Sequence, residues 1–145
     1  MLPDAIDLVI VTPEKQLLRE KTVEVQMPAK NGYLGILPGH APLMTELGIG
    51  ELSYHDTSGK ESEHIAIIRG FAEVLPDRVT ILAETAERAE EIDLQRAKEA
   101  LARAEKRLAS DDPSIDWDRA SIALQRALIR VQMATKRRSA LVSGS

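Results

Sequence analysis

The chain has 145 residues, 43% hydrophobic and 29% charged, with a formal net charge of −4; this is the balance of a soluble globular protein of one domain, or of a small domain with an appendage. The absence of cysteine excludes disulfides, zinc–thiolate sites and thiol catalysis, and suits a reducing compartment. With aromatics at 3% and an acidic balance, the chain lacks the stacked rings and basic groove of a single-strand nucleic-acid platform, so no nucleic-acid partner is expected.

The charge is unevenly placed. Residues 1–88 hold 14 acidic and 8 basic side chains, whereas residues 89–145 hold 9 acidic and 11 basic ones. From Ser121 onward Arg126, Arg130, Lys136, Arg137 and Arg138 are accompanied by no acid, so this tail suits an anion, an acidic surface or a solvated helix end. No apolar run approaches the ~20 residues that span a bilayer. Met1–Thr12 lacks the basic segment of a signal peptide. A cytosolic protein is expected, touching a membrane only through a partner.

In chain order, Ile6, Leu8 and Ile10 alternate against Asp7, Val9 and Val11 at the period of a strand. Thr12–Lys15 is a turn, Gln16–Glu20 a return strand and Thr22–Met27 a further half-buried strand. Lys30–Leu52 is punctuated by Gly32, Gly35, Gly39, Gly48 and Gly50 and by Pro38 and Pro42. Glycine tolerates positive φ, and proline fixes φ and donates no N–H, so the stretch predicts two or three short strands with Pro38-Gly39 as a tight turn. Glu51–His55 is a strand, Asp56–Lys60 a hairpin loop, and Glu63–Arg69 a strand buried on both sides. Gly70 marks a bulge or turn, and Phe71–Leu75 and Arg78–Glu84 flank the turn Pro76-Asp77. About 8–10 short strands imply a β-sandwich or flattened barrel over residues 1–87.

Near Glu87 the period changes. Ile92, Leu94, Ala97, Leu101, Ala104 and Leu108 recur at helical spacing, with Asp93 as the candidate N-cap. Ser110–Ser114 ends this helix, and a second runs from about Asp116 to Arg138 with Ile122, Leu124, Ala127, Leu128 and Val131 as its apolar positions. A short connection makes residues 88–145 an antiparallel helical hairpin. Its seam is mostly alanine, so little apolar area is buried and the pair is poised to detach or unfold. The fold class is therefore α+β, a β-sandwich followed by an α-helical hairpin.

Three stretches of this chain resemble the epsilon subunit of F-type ATP synthase, in its bacterial form: Gly32–Leu47 with its core GILPGHAPL, the pair IRGFAEV and VTILAET, and IDLQRA with its companion Arg119–Arg130. The resemblance implies a non-catalytic rotor component of the central stalk, peripheral on the cytoplasmic side of the inner membrane. Its sandwich would bind the gamma subunit and the ring of c subunits through Tyr33, Leu34, Pro38, Gly39, His40, Ala41 and Pro42. Tyr33 stands where some relatives carry an acid, so a charge-based ring contact is not expected there. The hairpin would fold down on the sandwich or extend along gamma to the alpha/beta catalytic head and block ATP hydrolysis.

In several bacterial relatives the hairpin binds ATP, which makes ATP a regulatory ligand here while no cofactor is required. Matching position by position assigns Glu87, Asp93, Arg96, Ala97, Arg103, Arg126 and Arg130 to that site. The chemistry is apt, since Arg96 and Arg103 share one helix face and Arg126 and Arg130 another, and guanidinium forks hold phosphates. Arginines at helical spacing more commonly form a solvated face, and no glycine-rich phosphate loop is present. The other readings are a β-sandwich adaptor without a bioenergetic role and a metal enzyme using His40, His55 or His64 with Glu51 or Glu63. These histidines lack the spacing of a helix-borne metal motif, which counts against the enzyme.

Overall fold

The computed structural model describes residues 2–58 and 62–143, with side chains as far as Arg137, and divides into two compact units, Met1–Glu87 and Arg88–Ser145. The first unit is built from β1 (Ile6–Val11), β2 (Gln16–Thr22), β3 (Glu24–Ala29), β4 (Gly32–Ile36), β5 (Leu43–His55), β6 (Ser62–Leu75) and β7 (Arg78–Arg88). The strands form one sheet in the order β2-β1-β7-β6-β5-β3-β4. β1 runs parallel to β7, with Leu8 opposite Val79 and Ile10 opposite Ile81, whereas β5 and β6 pair antiparallel from Leu43↔Val74 to His55↔Ser62. The expected hairpin loop includes Gly59 and Lys60, which lie outside the described residues.

Although β2 and β4 are the two edges of the sheet, Leu18 of the one and Ile36 of the other belong to a single buried core with Ile10, Met27, Ile67 and Ile81. The sheet must therefore fold over on itself, as the alternation of Ile6, Leu8 and Ile10 demands if all three are to leave water. Each such side chain contributes about 1.5–3 kcal/mol of transfer free energy.

Among the described residues the sheet has seven strands in place of the expected 8–10, because the longest strands change face midway. In β6 the core-facing residues are Ile65 and Ile67, then Ala72 and Val74; in β5 Leu47, then Leu52 and Tyr54; in β7 Val79, Ile81 and Ala83, then Ala86. A reading based on alternation splits β6 into Glu63–Arg69 and Phe71–Leu75, starts a separate strand at Glu51 within β5 and ends β7 at Glu84. In β6 the change falls at Arg69 (φ 58°) and Gly70 (φ 144°), where left-handed backbone turns the strand without breaking it. In β5 the change falls at Gly48 and Ile49, where the pairing with β6 passes from Leu47↔Gly70 to Ile49↔Ile68. Ile65, Ala66, Ile67 and Ile68 are all buried, as expected of a strand covered on both sides.

Two local features shape the region around β3. The Thr22 hydroxyl accepts from the Glu24 N–H (3.2 Å) and lies against the carbonyl oxygens of Glu24 and His55, so the expected Thr22–Met27 strand starts only at Glu24. Pro28 has no N–H to give, and the β3–β5 ladder shifts register between Gln26 and Ala29.

The second unit holds a 3-10 turn (Ala89–Glu91), α1 (Leu94–Leu108) and α2 (Trp117–Ser143), and α1 packs against α2. Asp93 and Asp116 start the helices, accepting from the backbone N–H of Arg96 and Arg119 (3.1 Å each). Asp112 pins the connection, accepting from the Ser114 N–H (2.9 Å) and hydroxyl (2.8 Å). α2 runs on past the expected end at Arg138 to Ser143. Leu128 was expected on the apolar face but is 42% exposed, because the buried positions are Ala97 and Ala104 in α1 and Ala120, Ala127, Met133 and Ala134 in α2. The alanines recur every seven residues, the period of a helix-packing seam.

Candidate functional site

Residues 37–40 form the tight turn that Pro38-Gly39 signals. The His40 N–H donates to the Leu37 carbonyl at 3.2 Å and Gly39 takes φ 88°, the type II geometry with proline first and glycine second. The Gly39 N–H donates to the Pro76 carbonyl (2.8 Å), tying this turn to the one between β6 and β7. His40 Nδ1 lies 2.7 Å from the Ala41 carbonyl oxygen, and Ala41 and Pro42 are exposed. Tyr33 is 61% exposed, yet its hydroxyl accepts from the Glu51 N–H at 3.2 Å. Leu34 packs half-buried against the core.

A neighbouring apolar face escapes sequence reasoning. Met44, Phe71 and Leu82 are 63%, 54% and 51% exposed, on the outward face of adjacent strands β5, β6 and β7. The acids Glu46, Glu73 and Glu84 share that face, with Glu46 opposite Phe71 and Glu73 opposite Met44. Large exposed side chains clustered within a polar rim mark an interaction surface. The available signal was the alternation of Ile81 and Ala83 around Leu82, and of Ala72 and Val74 around Phe71, once the change of face in β6 is allowed for.

In the second unit four of the five seam alanines are preceded by an arginine, Arg96-Ala97, Arg103-Ala104, Arg119-Ala120 and Arg126-Ala127, whereas Ala134 follows Met133. In an antiparallel pair, positions just before the seam on the two helices lie on the same side. Arg130, one turn after Arg126, joins that side. Arg96, Arg103 and Arg119 are exposed, Arg126 and Arg130 half-buried. The Arg126 Nε is buried without a hydrogen-bond partner among the described residues, an arrangement that costs free energy until an acceptor arrives. Asp93 is committed at one oxygen to capping α1, and Ala97 lies in the seam with its N–H donating to the Asp93 carbonyl (3.0 Å). Glu87 closes the first unit near the end of β7.

Among the described residues no three His, Cys, Asp or Glu side chains are placed to hold a metal ion. His64 pairs with Glu51 across β5 and β6, and His55 lies 3.9 Å from Glu24. No described helix is long and apolar enough to cross a membrane.

A folded-over β-sheet unit and an arginine-flanked helical hairpin define a two-part β-plus-hairpin protein whose candidate surfaces suit macromolecular and anionic partners. Residues 5–89 match the family model "ATP synthase, Delta/Epsilon chain, beta-sandwich domain" and residues 90–135 match "ATP synthase, Delta/Epsilon chain, long alpha-helix domain". Over 102 residues the chain is 57% identical to the ATP synthase epsilon chain of Solibacter usitatus and 58% identical to that of Koribacter versatilis. These alignments cover 70% of this chain, with 75% and 70% of the respective relatives. A chain in a Euglena gracilis mitochondrial ATP synthase structure (OSCP/F1/c-ring) superposes with a TM-score of 0.80 at 26% identity, covering 93% of this chain and 84% of its own. The chain belongs to the family of F-type ATP synthase epsilon subunits.

Proposed function

We propose that this protein is a non-catalytic central-stalk subunit of an ATP synthase, coupling rotation in its first unit and regulating hydrolysis through its hairpin. The kinship with epsilon chains supports the stalk role, and the Euglena complex contains F1 and a c-ring. The first unit would meet gamma and the c-ring through the Pro38–Pro42 turn with Tyr33 and Leu34, and through the exposed Met44, Phe71 and Leu82. Membrane association, peripheral and on the cytoplasmic side, would come through the ring.

The hairpin is the regulatory part of the proposal, and the arginines preceding Ala97, Ala104, Ala120 and Ala127, with an orphaned Arg126 Nε, carry it. Arg96, Arg103, Arg126 and Arg130 offer forked donors to a triphosphate; Asp93 would face the nucleoside. ATP bound there holds the hairpin compact, and its loss frees the arginines for an acidic surface of the alpha/beta head, where the hairpin blocks hydrolysis. Calorimetric titration of the chain with ATP, with GTP and Arg126→Ala as controls, tests the sensor. Saturable, ATP-selective binding weakened at least tenfold by the substitution is expected; no binding at millimolar ATP removes the sensor. Reconstitution of a chain lacking residues 89–145 tests the brake: hydrolysis by the complex should rise, and unchanged inhibition removes the hairpin from the mechanism.

A further inference from the structure

We propose that Glu90 and Arg137 form a latch that closes the end of the hairpin farthest from its loop, so that this end opens separately while the seam of Ala97 and Ala104 with Ala120 and Ala127 stays shut. The proposal goes beyond nucleotide binding and inhibition, and holds whether or not either occurs. Counting outward from the loop, Ala104 stands level with Ala120 and Ala97 with Ala127. The buried Met133 and Ala134 then lie farther out than α1, which begins at Leu94. At that level α2 meets the 3-10 turn Ala89–Glu91 instead.

That turn contributes no buried residue of its own beside the buried Met133 and Ala134, and its side-chain hydrogen bond to α2 is ionic. The Glu90 carboxylate takes the Arg137 guanidinium at 2.6 Å, a short charge-assisted contact. Arg88 Nε, 3.9 Å from Glu91, steadies the turn from its other side. The latch side chains are 42% and 49% exposed, so dissolved ions reach and screen them. The seam alanines are buried and offer salt nothing to screen. Ionic strength therefore distinguishes the two ends of one hairpin.

Peptide-resolved amide hydrogen exchange on the full chain tests this, comparing wild type, E90Q, R137Q and the double variant at about 50 mM and about 1 M sodium chloride. At low salt either single substitution should speed exchange across residues 131–137 roughly 2–5-fold, the range expected of an exposed pair. Residues 97–108 should be unchanged, the double variant no faster than either single, and high salt should erase the differences. The charge-exchanged pair E90R with R137E should restore protection. Absence of acceleration, additive acceleration, equal acceleration at residues 97–108, or an effect that survives high salt would each overturn the latch.

Discussion

Gly70 lies directly against the backbone at Leu82: a β-carbon there would run into the Leu82 carbonyl oxygen and stand 2.8 Å from the Ala83 Cα. The residue also holds φ 144°, which side chains other than hydrogen rarely allow. This contact sits where β6 changes the face it turns to the core, so the fold of the sheet depends on it.

Gly70→Ala should therefore destabilise the first unit by about 2–4 kcal/mol, combining backbone strain with a steric clash that neighbouring backbone cannot relieve. Gly35, with no atom within 4 Å of where its β-carbon would lie and ordinary φ, is the control; Gly35→Ala should change stability by less than about 1 kcal/mol. Urea unfolding of both variants measures this, and equal midpoints would mean that the β6 crossing yields easily.

In the hairpin, Ala127 is 2% exposed and its neighbour Leu128 42%. Ala127→Leu should force the helices apart and cost about 1–3 kcal/mol, while Leu128→Ala should stay within about 0.5 kcal/mol. Hydrogen exchange of the helical amides reports each. A larger effect at Leu128 would place the seam on the face that sequence periodicity suggests.

That inversion shows what was legible and what was not. Ile6, Leu8 and Ile10 announce a strand because large apolar side chains alternate with polar neighbours. The alanine seam was legible through Ala97, Ala104 and Ala127, but alanine buries too little area to outweigh leucine in a periodicity, so Ala120 and Ala134 stayed hidden while Leu128 was read onto the apolar face. Met44, Phe71 and Leu82 were illegible as a face because the core side changes within β5, β6 and β7. The bond between Tyr33 and Glu51 joins strands that do not follow in sequence, which local pattern cannot show. The arginine spacings were readable on each helix alone, but gathering both sets on one side needs the antiparallel pairing, and the orphaned Arg126 Nε needs coordinates.

Asp93 has a structural role that can be separated from any ligand contact. Its carboxylate caps α1 at Arg96 N, so Asp93→Ala should cost the hairpin about 1 kcal/mol, and Asp93→Asn, which keeps an acceptor oxygen, only a few tenths. Circular dichroism melts distinguish the variants. If Asn and Ala are equally destabilising, the negative charge at the helix N-terminus matters more than the hydrogen bond.

Asp112 provides a pH-dependent counterpart at the other end of α1. The Ser114 backbone N–H, then the Ser114 hydroxyl, hold its carboxyl below the usual aspartate value of 3.8, outweighing the small opposing effect of burial. Because the folded-state value is the lower one, the charged form is favoured by folding. Its contribution to the ordered loop is complete above about pH 3.8 and is lost as the pH falls through the folded-state value. A carbon-detected NMR titration of the Asp112 carboxyl should show a midpoint below 3.8 that moves back toward it in Ser114→Ala, where the hydroxyl is gone but the N–H remains. Ser114→Pro, which removes the larger contribution, should move it further. An unshifted midpoint in both variants would mean that Ser114 does not set the loop's acid response.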